Sequence, residues 1–396
     1  MALIARTANS IGRWGAANRD IVFVLLVTAV LRVWFAAWGA AVIVGNGAPI
    51  VPNPPTMYHE LTRVPDEGLG LLLAPWQRWD AIWYLRIAEL GYAPDDVSPS
   101  FFPLFPLLTR ALALLVPNFL AAGLIVSTVA TFLAFLFLYR LCDDLADTET
   151  ARRAVIYWAL FPTAFFLFAP YAESSLAACA LASVYFARRE KWGLAAIASA
   201  GATLARPIGF LVLVPLAIEA WRQTGNRGRA MAALGSSLGA MLLWMLYLHV
   251  QFNDALLWVH AEEGWQRVFV FPWETILRAF QGILSGEGAV ANNFVDLTLT
   301  FVACAAIVVA WKKLPLSLST YALVMIGVPL LNLAQVSGYE LAPMAAAGRR
   351  ALVAFPAFIA LALAWRGKVK QPLWIVVSAA AQVILFGLFV RWLWVD

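Results

Sequence analysis

Long apolar stretches recur along the chain from Ile21 to Trp394, and polar loops separate them. A membrane-spanning helix needs about 20 predominantly apolar residues. Several stretches are shorter, so they must be shielded by protein or line a cavity. The pattern predicts eleven spans, at 21–44, 119–141, 154–170, 174–187, 192–205, 208–221, 231–252, 294–311, 316–333, 351–365 and 373–394. The predicted fold class is therefore an all-α polytopic membrane protein.

The composition agrees with this pattern. Hydrophobic residues make up 62% of the 396 residues and charged residues 13%, whereas a soluble domain is about a quarter charged. We expect residues 1–396 to form a single integral membrane domain. The net charge of +5 arises from basic residues in short loops, which indicates membrane orientation rather than nucleic-acid binding. Cys142, Cys179 and Cys304 lie in or beside apolar spans and are interpreted as small core residues.

The basic loops also predict an orientation. With the N-terminus in the cytoplasm, all five lysines fall on the inside, as the positive-inside rule requires. This parity depends on a helical hairpin at Arg206-Pro207. The outer face then carries loops at 45–118, 253–293 and 334–350. The outer basic residues are all arginines, which suit fixed anion recognition: Arg63, Arg78, Arg86, Arg110, Arg206, Arg267, Arg278, Arg349 and Arg350.

The first outer loop contains the stretch "PWQRWDAIWYLRIAELGY", residues 75–92. Its spacing predicts a helix from Trp76 to Leu90 that lies along the membrane interface, with Trp and Tyr on one side. An aromatic anchor at the membrane surface would account for the tryptophans. It would not account for Asp80, which lies within the aromatic stripe, so a functional carboxylate is the second interpretation.

Two further segments follow on the same face. In "SFFPLFPLLTR" (100–110), Pro103 and Pro106 interrupt an apolar run and predict a broken, re-entrant segment; a plain entry to the next helix is the alternative. "FPTAFFLFAPYAESS" (161–175) is an outer turn with Tyr171 and Glu173. Glu173 is either a charge favoured at a helix N-terminus or a substrate-binding group.

Arginines mark two more candidates. Arg206 in "TLARPIGF" is flanked by apolar residues, and an ionisable residue at membrane depth is usually functional. Anion binding and simple snorkelling to the surface are the alternatives. Arg349 and Arg350 in "AAAGRRALVAFP" are either a phosphate clamp or an interfacial anchor.

The second outer loop contains "HAEEGWQRVFVFPWE" (260–274). The spacing of His260, Glu262 and Glu263 matches no strong metal motif, so no metal site is predicted. Trp265 is interpreted as a sugar-facing, lipid-facing or interfacial aromatic. No glycine-rich phosphate loop and no Ser-His-Asp or Cys-His set is present. An enzyme of this kind would need a donor that is already in the membrane, such as a phosphorylated lipid.

These motifs, in this order, resemble the GPI mannosyltransferase II (PIG-V) family and its prokaryotic relatives. The resemblance is carried by "RWDAIWYLRIAELGY", "FFPLFPLLTRAL", "FPTAFFLFAPYAESSLAA", "ATLARPIGF" and "GRRALVAFP". It implies a GT-C class glycosyltransferase that takes a sugar, generally mannose, from a polyprenyl- or dolichyl-phosphate donor. The class typically places a catalytic Asp in the first outer loop, which corresponds to Asp80.

From these observations we expect an inverting transferase without cofactor or metal. Asp80 is its predicted general base, and Arg206 with Arg349 or Arg350 is expected to hold the donor phosphate. The groups expected to shape the sugar or acceptor site are Trp79, Trp83, Tyr84, Glu173 and Trp265. The Lys-poor composition suggests a prokaryote, where the plasma membrane is the site and a GPI acceptor would be absent, so the acceptor is a glycolipid or another extracytoplasmic molecule. A flippase of lipid-linked sugars is the alternative function.

Overall fold

The structure is a computed structural model that describes residues 18–46, 61, 64–65, 67–223, 227–262, 267–286, 289–334, 343–344, 346–367, 369–393 and 395. The helices in order are α1 (Arg19–Asn46), α2 (Asp80–Leu90), α3 (Leu104–Ala113), α4 (Phe119–Leu145), α5 (Thr148–Ala159), α6 (Glu173–Arg188), α7 (Trp192–Ala205), α8 (Leu213–Arg222), α9 (Arg227–Phe252), α10 (Leu257–Glu262), α11 (Pro272–Ser285), α12 (Val290–Ala310), α13 (Leu316–Gly327), α14 (Ala347–Ala351), α15 (Pro356–Ala364) and α16 (Lys370–Val390). Two short strands, β1 (Arg267–Phe269) and β2 (Asn332–Ala334), pair antiparallel with Val268 opposite Leu333, and so join the second and third predicted outer loops.

The predicted all-α class is confirmed. Within the described residues, the helices long and apolar enough to cross a membrane are α1, α4, Gly228–Phe252 of α9, α12 and α16. Every predicted span coincides with helical structure, but not always with one continuous helix. The predicted segment 154–170 is α5 followed by a 3-10 turn at Ala164–Leu167, and 351–365 contains only the nine residues of α15 beyond the end of α14. Prolines without an N–H interrupt these segments.

Helix α6 forms the centre of the bundle. All but three of its sixteen residues are buried, and it packs against α4 on one side and α7 on the other. A helix of this length is short for a bilayer. Because surrounding helices cover it, its ends lie against protein rather than lipid.

Ion pairs define the two ends of α6. Directly after the last residue of α6, Arg189 pairs with Asp144 at 2.8 Å. Asp144 lies near the C-terminal end of α4. Near that end Arg140 of α4 also pairs with Asp20 of α1 at 2.8 Å. Asp20, Asp144 and Arg189 belong to loops predicted to be cytoplasmic, and Arg140 lies at the adjoining end of its predicted span. Glu173 begins α6 at the opposite end, so the first residue of this helix faces away from the basic loops.

The first outer loop departs from prediction at two points. Helix α2 begins at Asp80 rather than Trp76, because a 3-10 turn at Ala74–Trp76 is followed by Gln77 and Trp79 in non-helical backbone conformations. In the segment with two prolines, residues 101–103 are irregular and α3 begins at Leu104, so the interruption lies before Pro106 rather than at it. Pro106 is the third residue of α3, and the first N–H groups of a helix have no intrahelical partner to lose.

Candidate active site

Asp80 is the first residue of α2, and unusual backbone places it there. The preceding Trp79 has φ 52° and ψ −130°, a conformation that costs about 1–3 kcal/mol in a non-glycine residue and persists only where the surroundings impose it. The backbone N–H of Asp80 donates to the hydroxyl of Tyr171 at 3.1 Å, and that hydroxyl lies 3.3 Å from the carbonyl of Arg78, to which it donates. The turn between α5 and α6 therefore holds the start of α2.

Arg78 stabilises this turn through hydrogen bonds to backbone carbonyls. Its side chain is buried and donates to the carbonyls of Ala74 at 2.8 Å, Gln77 at 3.1 Å and Val390 at 3.3 Å. The guanidinium also lies 5.2 Å from the ring of Trp392. Arg78 had been counted among the arginines suited to anion recognition. The structure corrects this interpretation, because its donors are directed to backbone carbonyls in the core.

The carboxylate of Asp80 is paired with Arg349. Arg349 Nη1 donates to Asp80 Oδ2 at 2.7 Å, with the Asp80 side chain 24% exposed and the Arg349 side chain 11% exposed. Among the described residues, no donor reaches the second oxygen of Asp80. Arg349 therefore fixes the orientation of the carboxylate through one of its two oxygens.

Glu173 joins Arg349 to Arg206. Its Oε1 accepts from Arg206 Nη1 in a very short contact and lies 3.3 Å from Arg349 Nε. Its side chain is 2% exposed, and Oε2 has no hydrogen-bond partner among the described residues. Two guanidinium groups thus share one buried carboxylate. Together with Asp80 they form a cluster of two acidic and two basic side chains, which we call the charge cluster: Asp80, Glu173, Arg206 and Arg349.

Aromatic side chains surround the charge cluster. Arg349 lies over the rings of Phe166 and Tyr171, at 5.4 and 5.5 Å from their centroids. Tyr84 is buried, with its ring 6.2 Å from that of Tyr171 and 5.4 Å from that of Phe105. Burial raises the pKa of Tyr84 above its usual value, so its phenol stays a neutral hydrogen-bonding group.

The remaining predicted site residues contact other groups than the charge cluster. Trp79 packs on Trp392 with ring centroids 5.5 Å apart, and Trp83 stacks on Phe101 at 5.6 Å. Both are only partly buried. Arg350 lines a separate cavity of about 10 Å³ with Thr300 and Ile326. The adjacent arginines Arg349 and Arg350 therefore contact different parts of the protein. Trp265 and Glu263 lie outside the described residues.

The sequence left Tyr171 without a role and Arg349 without a partner. A single tyrosine in a turn carries no local signal of a bond to a backbone N–H 91 residues earlier. His260, considered with the metal candidates, lies with its Nδ1 at 2.7 Å from Asp254 Oδ2, to which the ring N–H donates. Across the described part of the chain, no group of three or more His, Cys, Asp or Glu side chains comes together in a way that could hold a metal ion.

Comparison with known proteins supports the resemblance drawn from the motifs. Residues 48–216 match the model of a mannosyltransferase family, described as Mannosyltransferase (PIG-V). The match includes Asp80, Tyr171, Glu173 and Arg206 and ends before Arg349. It supports a glycosyltransferase activity, and with the apolar helices it supports an integral membrane protein. No curated protein sequence matches the chain.

Solved structures with a similar arrangement come from Archaeoglobus fulgidus. One is its oligosaccharyltransferase tethered to an acceptor peptide with the NVT sequon, at TM-score 0.44 and 13% identity, covering 93% of this chain and 56% of that one. Another is the archaeal oligosaccharyltransferase AglB in complex with an inhibitory peptide and a dolichol-phosphate, at TM-score 0.42 and 11% identity, covering 96% of this chain and 56% of that one. The chain thus spans little more than half the length of these proteins.

Proposed function

We propose that this protein is an inverting, metal-independent glycosyltransferase of the GT-C class that moves a sugar, mannose, from a polyprenyl-phosphate donor to an extracytoplasmic acceptor. The observation that carries the proposal is the hydrogen bonding of the Asp80 carboxylate. One carboxylate oxygen is held by Arg349 at 2.7 Å, and the other is not engaged by any described residue. A carboxylate fixed in this way is oriented for proton transfer.

In the proposed reaction, the acceptor hydroxyl oxygen attacks the anomeric carbon of the donor sugar. Its proton moves to the second oxygen of Asp80 as the new carbon–oxygen bond forms. The bond from the anomeric carbon to the phosphate oxygen breaks, and the phosphate keeps the electron pair. Attack from the face opposite the leaving group inverts the configuration, so a β-linked donor gives an α-linked product.

The arginines of the charge cluster would receive the leaving phosphate. The cluster contains two acidic and two basic groups, so its formal charges balance before the donor arrives. A phosphate adds negative charge, and guanidinium groups in a water-poor site stabilise such charge as it grows. Arg206 is the proposed primary contact, with Arg349 beside it; Arg350 is the third donor-binding candidate.

The proposed sugar or acceptor site is lined by the aromatic and acidic groups next to Asp80. Trp79 and Trp83 are partly exposed and can offer ring faces to a sugar, whereas Tyr84 can offer a hydroxyl. Glu173 holds Arg206 and Arg349 and so fixes the basic side of this site. Trp265, from the second outer loop, is proposed to complete this surface.

The single membrane domain of residues 1–396 would place this chemistry on the outer face of a prokaryotic plasma membrane. The lipid tail of the donor would stay in the bilayer, and the acceptor would be a glycolipid or another extracytoplasmic molecule. The alternative of a flippase for lipid-linked sugars is not favoured, because the matched family is one of transferases.

A direct assay separates the two functions. Purified protein is incubated with polyprenyl-phosphate-mannose and a glycolipid extract, and free polyprenyl phosphate is measured by mass spectrometry. We expect its release to depend on both the protein and the acceptor. Movement of intact donor between leaflets without any release would overturn the transferase assignment.

A further inference from the structure

We infer that Asp296 is a positioning residue of the active site, which acts by fixing the backbone from which Arg349 extends. The inference rests on the proposed function for its kinetic consequences but not for its geometry. Asp296 lies on α12, one of the helices long enough to cross a membrane, and is 1% exposed. A carboxylate in such a helix is costly unless it is paired or hydrogen-bonded, and it is usually functional.

One contact of Asp296 is with the residue that precedes Arg349. The backbone N–H of Gly348 donates to Asp296 Oδ1 at 2.6 Å, and both groups are buried. Hydrogen bonds to a charged acceptor are about twice as strong as neutral ones. The carboxylate therefore holds α14 directly, although it lies 52 residues earlier in the chain.

The carbonyl of the same glycine is held from another side. The hydroxyl of Thr163 donates to the Gly348 oxygen at 3.0 Å, and Thr163 is fully buried. Thr163 belongs to the segment between α5 and α6, which also carries Tyr171. Both backbone groups of Gly348 are thus held by side chains from different parts of the chain, and we call these two contacts the Gly348 clamp.

Helix α14 needs this support because it is only five residues long. A helix of that length has too few internal hydrogen bonds to be stable by itself. Without the clamp, the position of Arg349 would depend on contacts of its own side chain, among them those with Asp80, Glu173 and the ring of Tyr171. A shift of about 1 Å in a catalytic arrangement can cost about a hundredfold in rate, so fixing the backbone beside Arg349 has a functional effect.

The geometric test uses cross-linking in the full-length protein. Cys142, Cys179 and Cys304 are replaced by Ala, and Asp80→Cys with Arg349→Cys are introduced. A short thiol-specific cross-linker then reports whether positions 80 and 349 stay close. We expect Asp296→Ala to lower the cross-linking yield by about threefold or more, because misplacement changes reactive geometry steeply. Thr298→Val, at an exposed position of the same helix, is the matched control and should leave the yield unchanged.

The kinetic test keeps the wild-type cysteines and uses four variants: Asp296→Ala, Asp296→Asn, Arg349→Ala and the double variant of Arg349→Ala with Asp296→Ala. Asp296→Ala should lower the rate of transfer by about tenfold to a hundredfold, whereas Asp296→Asn, whose amide oxygen still accepts from Gly348, should lose about threefold or less. In an Arg349→Ala background, adding Asp296→Ala should change the rate by less than about twofold, since residues acting through one group are not additive.

The outcomes of the two tests distinguish failure of the positioning role from failure of the proposed function. An unchanged cross-linking yield in Asp296→Ala would overturn the positioning role, whether or not transfer is seen. An equal loss in Asp296→Asn and Asp296→Ala would also overturn it, since it would mean that the charge rather than the hydrogen bond matters. If cross-linking behaves as expected but the wild-type protein transfers no sugar, the positioning role stands and the proposed function falls.

Discussion

Arg349 donates to Asp80 at 2.7 Å although the two residues are separated by 269 positions in the chain. The contact joins the first outer loop to the short helix α14. It engages one of the two Asp80 oxygens and brings a second arginine beside Glu173.

Asp80→Asn should fold and bind the donor nearly normally but transfer very little sugar. The amide keeps the size and most of the hydrogen bonding of the carboxylate but cannot take the acceptor proton. Loss of a general base typically lowers the rate about a hundredfold to ten-thousandfold. Transfer and donor binding are measured on the same purified sample. Asp95→Asn, an exposed carboxylate in the same loop, is the control, and near-wild-type transfer by Asp80→Asn would move the role of base elsewhere, first to Glu173.

Arg206→Ala should weaken donor binding by about tenfold to a hundredfold, the range expected for a lost hydrogen bond to a charged group. It should also destabilise the fold by about 1–3 kcal/mol, because the buried carboxylate of Glu173 loses one of its partners. The double variant Glu173→Gln with Arg206→Ala should recover stability without recovering donor binding. Arg278→Ala removes an exposed pair with Glu274 and should change neither quantity. Equal donor affinity in Arg206→Ala and the wild-type protein would refute phosphate binding by Arg206.

Tyr171→Phe should lower both stability and rate. The buried Tyr171 hydroxyl accepts from the backbone N–H of Asp80, and leaving a buried donor without a partner costs about 1–3 kcal/mol. The start of α2 would then be less well fixed, and we expect the rate to fall by about tenfold. Tyr157→Phe removes a comparable hydroxyl bond, to the carbonyl of Trp365 at 2.8 Å, far from Asp80 in the bundle. If both variants lose the same stability and neither loses rate, Tyr171 has only a structural role.

Activity should survive an excess of EDTA. In the proposed mechanism, Arg206 and Arg349 supply the positive charge that a divalent cation would otherwise bring to the leaving phosphate. Transfer is measured before and after chelation, with added manganese or magnesium as the control. A loss with EDTA that is restored by either cation would contradict the prediction and would make the carboxylates of the outer loops candidates for metal ligands.

Position 95 should face the outside of the cell and position 312 the cytoplasm. The positive-inside distribution predicts this orientation, and both positions are exposed at the protein surface. Single cysteines at these positions, in a background without other cysteines, are labelled in intact cells with an impermeant reagent. Labelling at 312 with protection at 95 would reverse the topology and place the charge cluster on the wrong side for the proposed donor.

Local patterns along the chain determined a large part of this protein. Apolar length predicted helical structure at the eleven spans, but it did not predict α10 and α11 of the second outer loop. The break at Arg206-Pro207 follows from proline, since α7 ends at Ala205 and a 3-10 turn begins at Pro207. Asp80 was identifiable because a carboxylate among aromatic residues has no explanation in membrane anchoring. These features depend on backbone geometry and on hydrophobicity, which act over a few residues.

Only the tertiary structure decided how the candidate residues combine. Arg349 and Arg350 are adjacent and chemically identical, yet one contacts Asp80 and the other lines a separate cavity. Arg78 resembles an anion-binding residue in sequence and is instead directed to backbone carbonyls. Such choices depend on the direction in which a helix presents each side chain and on partners that are distant in the chain. Neither is encoded in local spacing, because long-range contacts form through packing of the whole bundle.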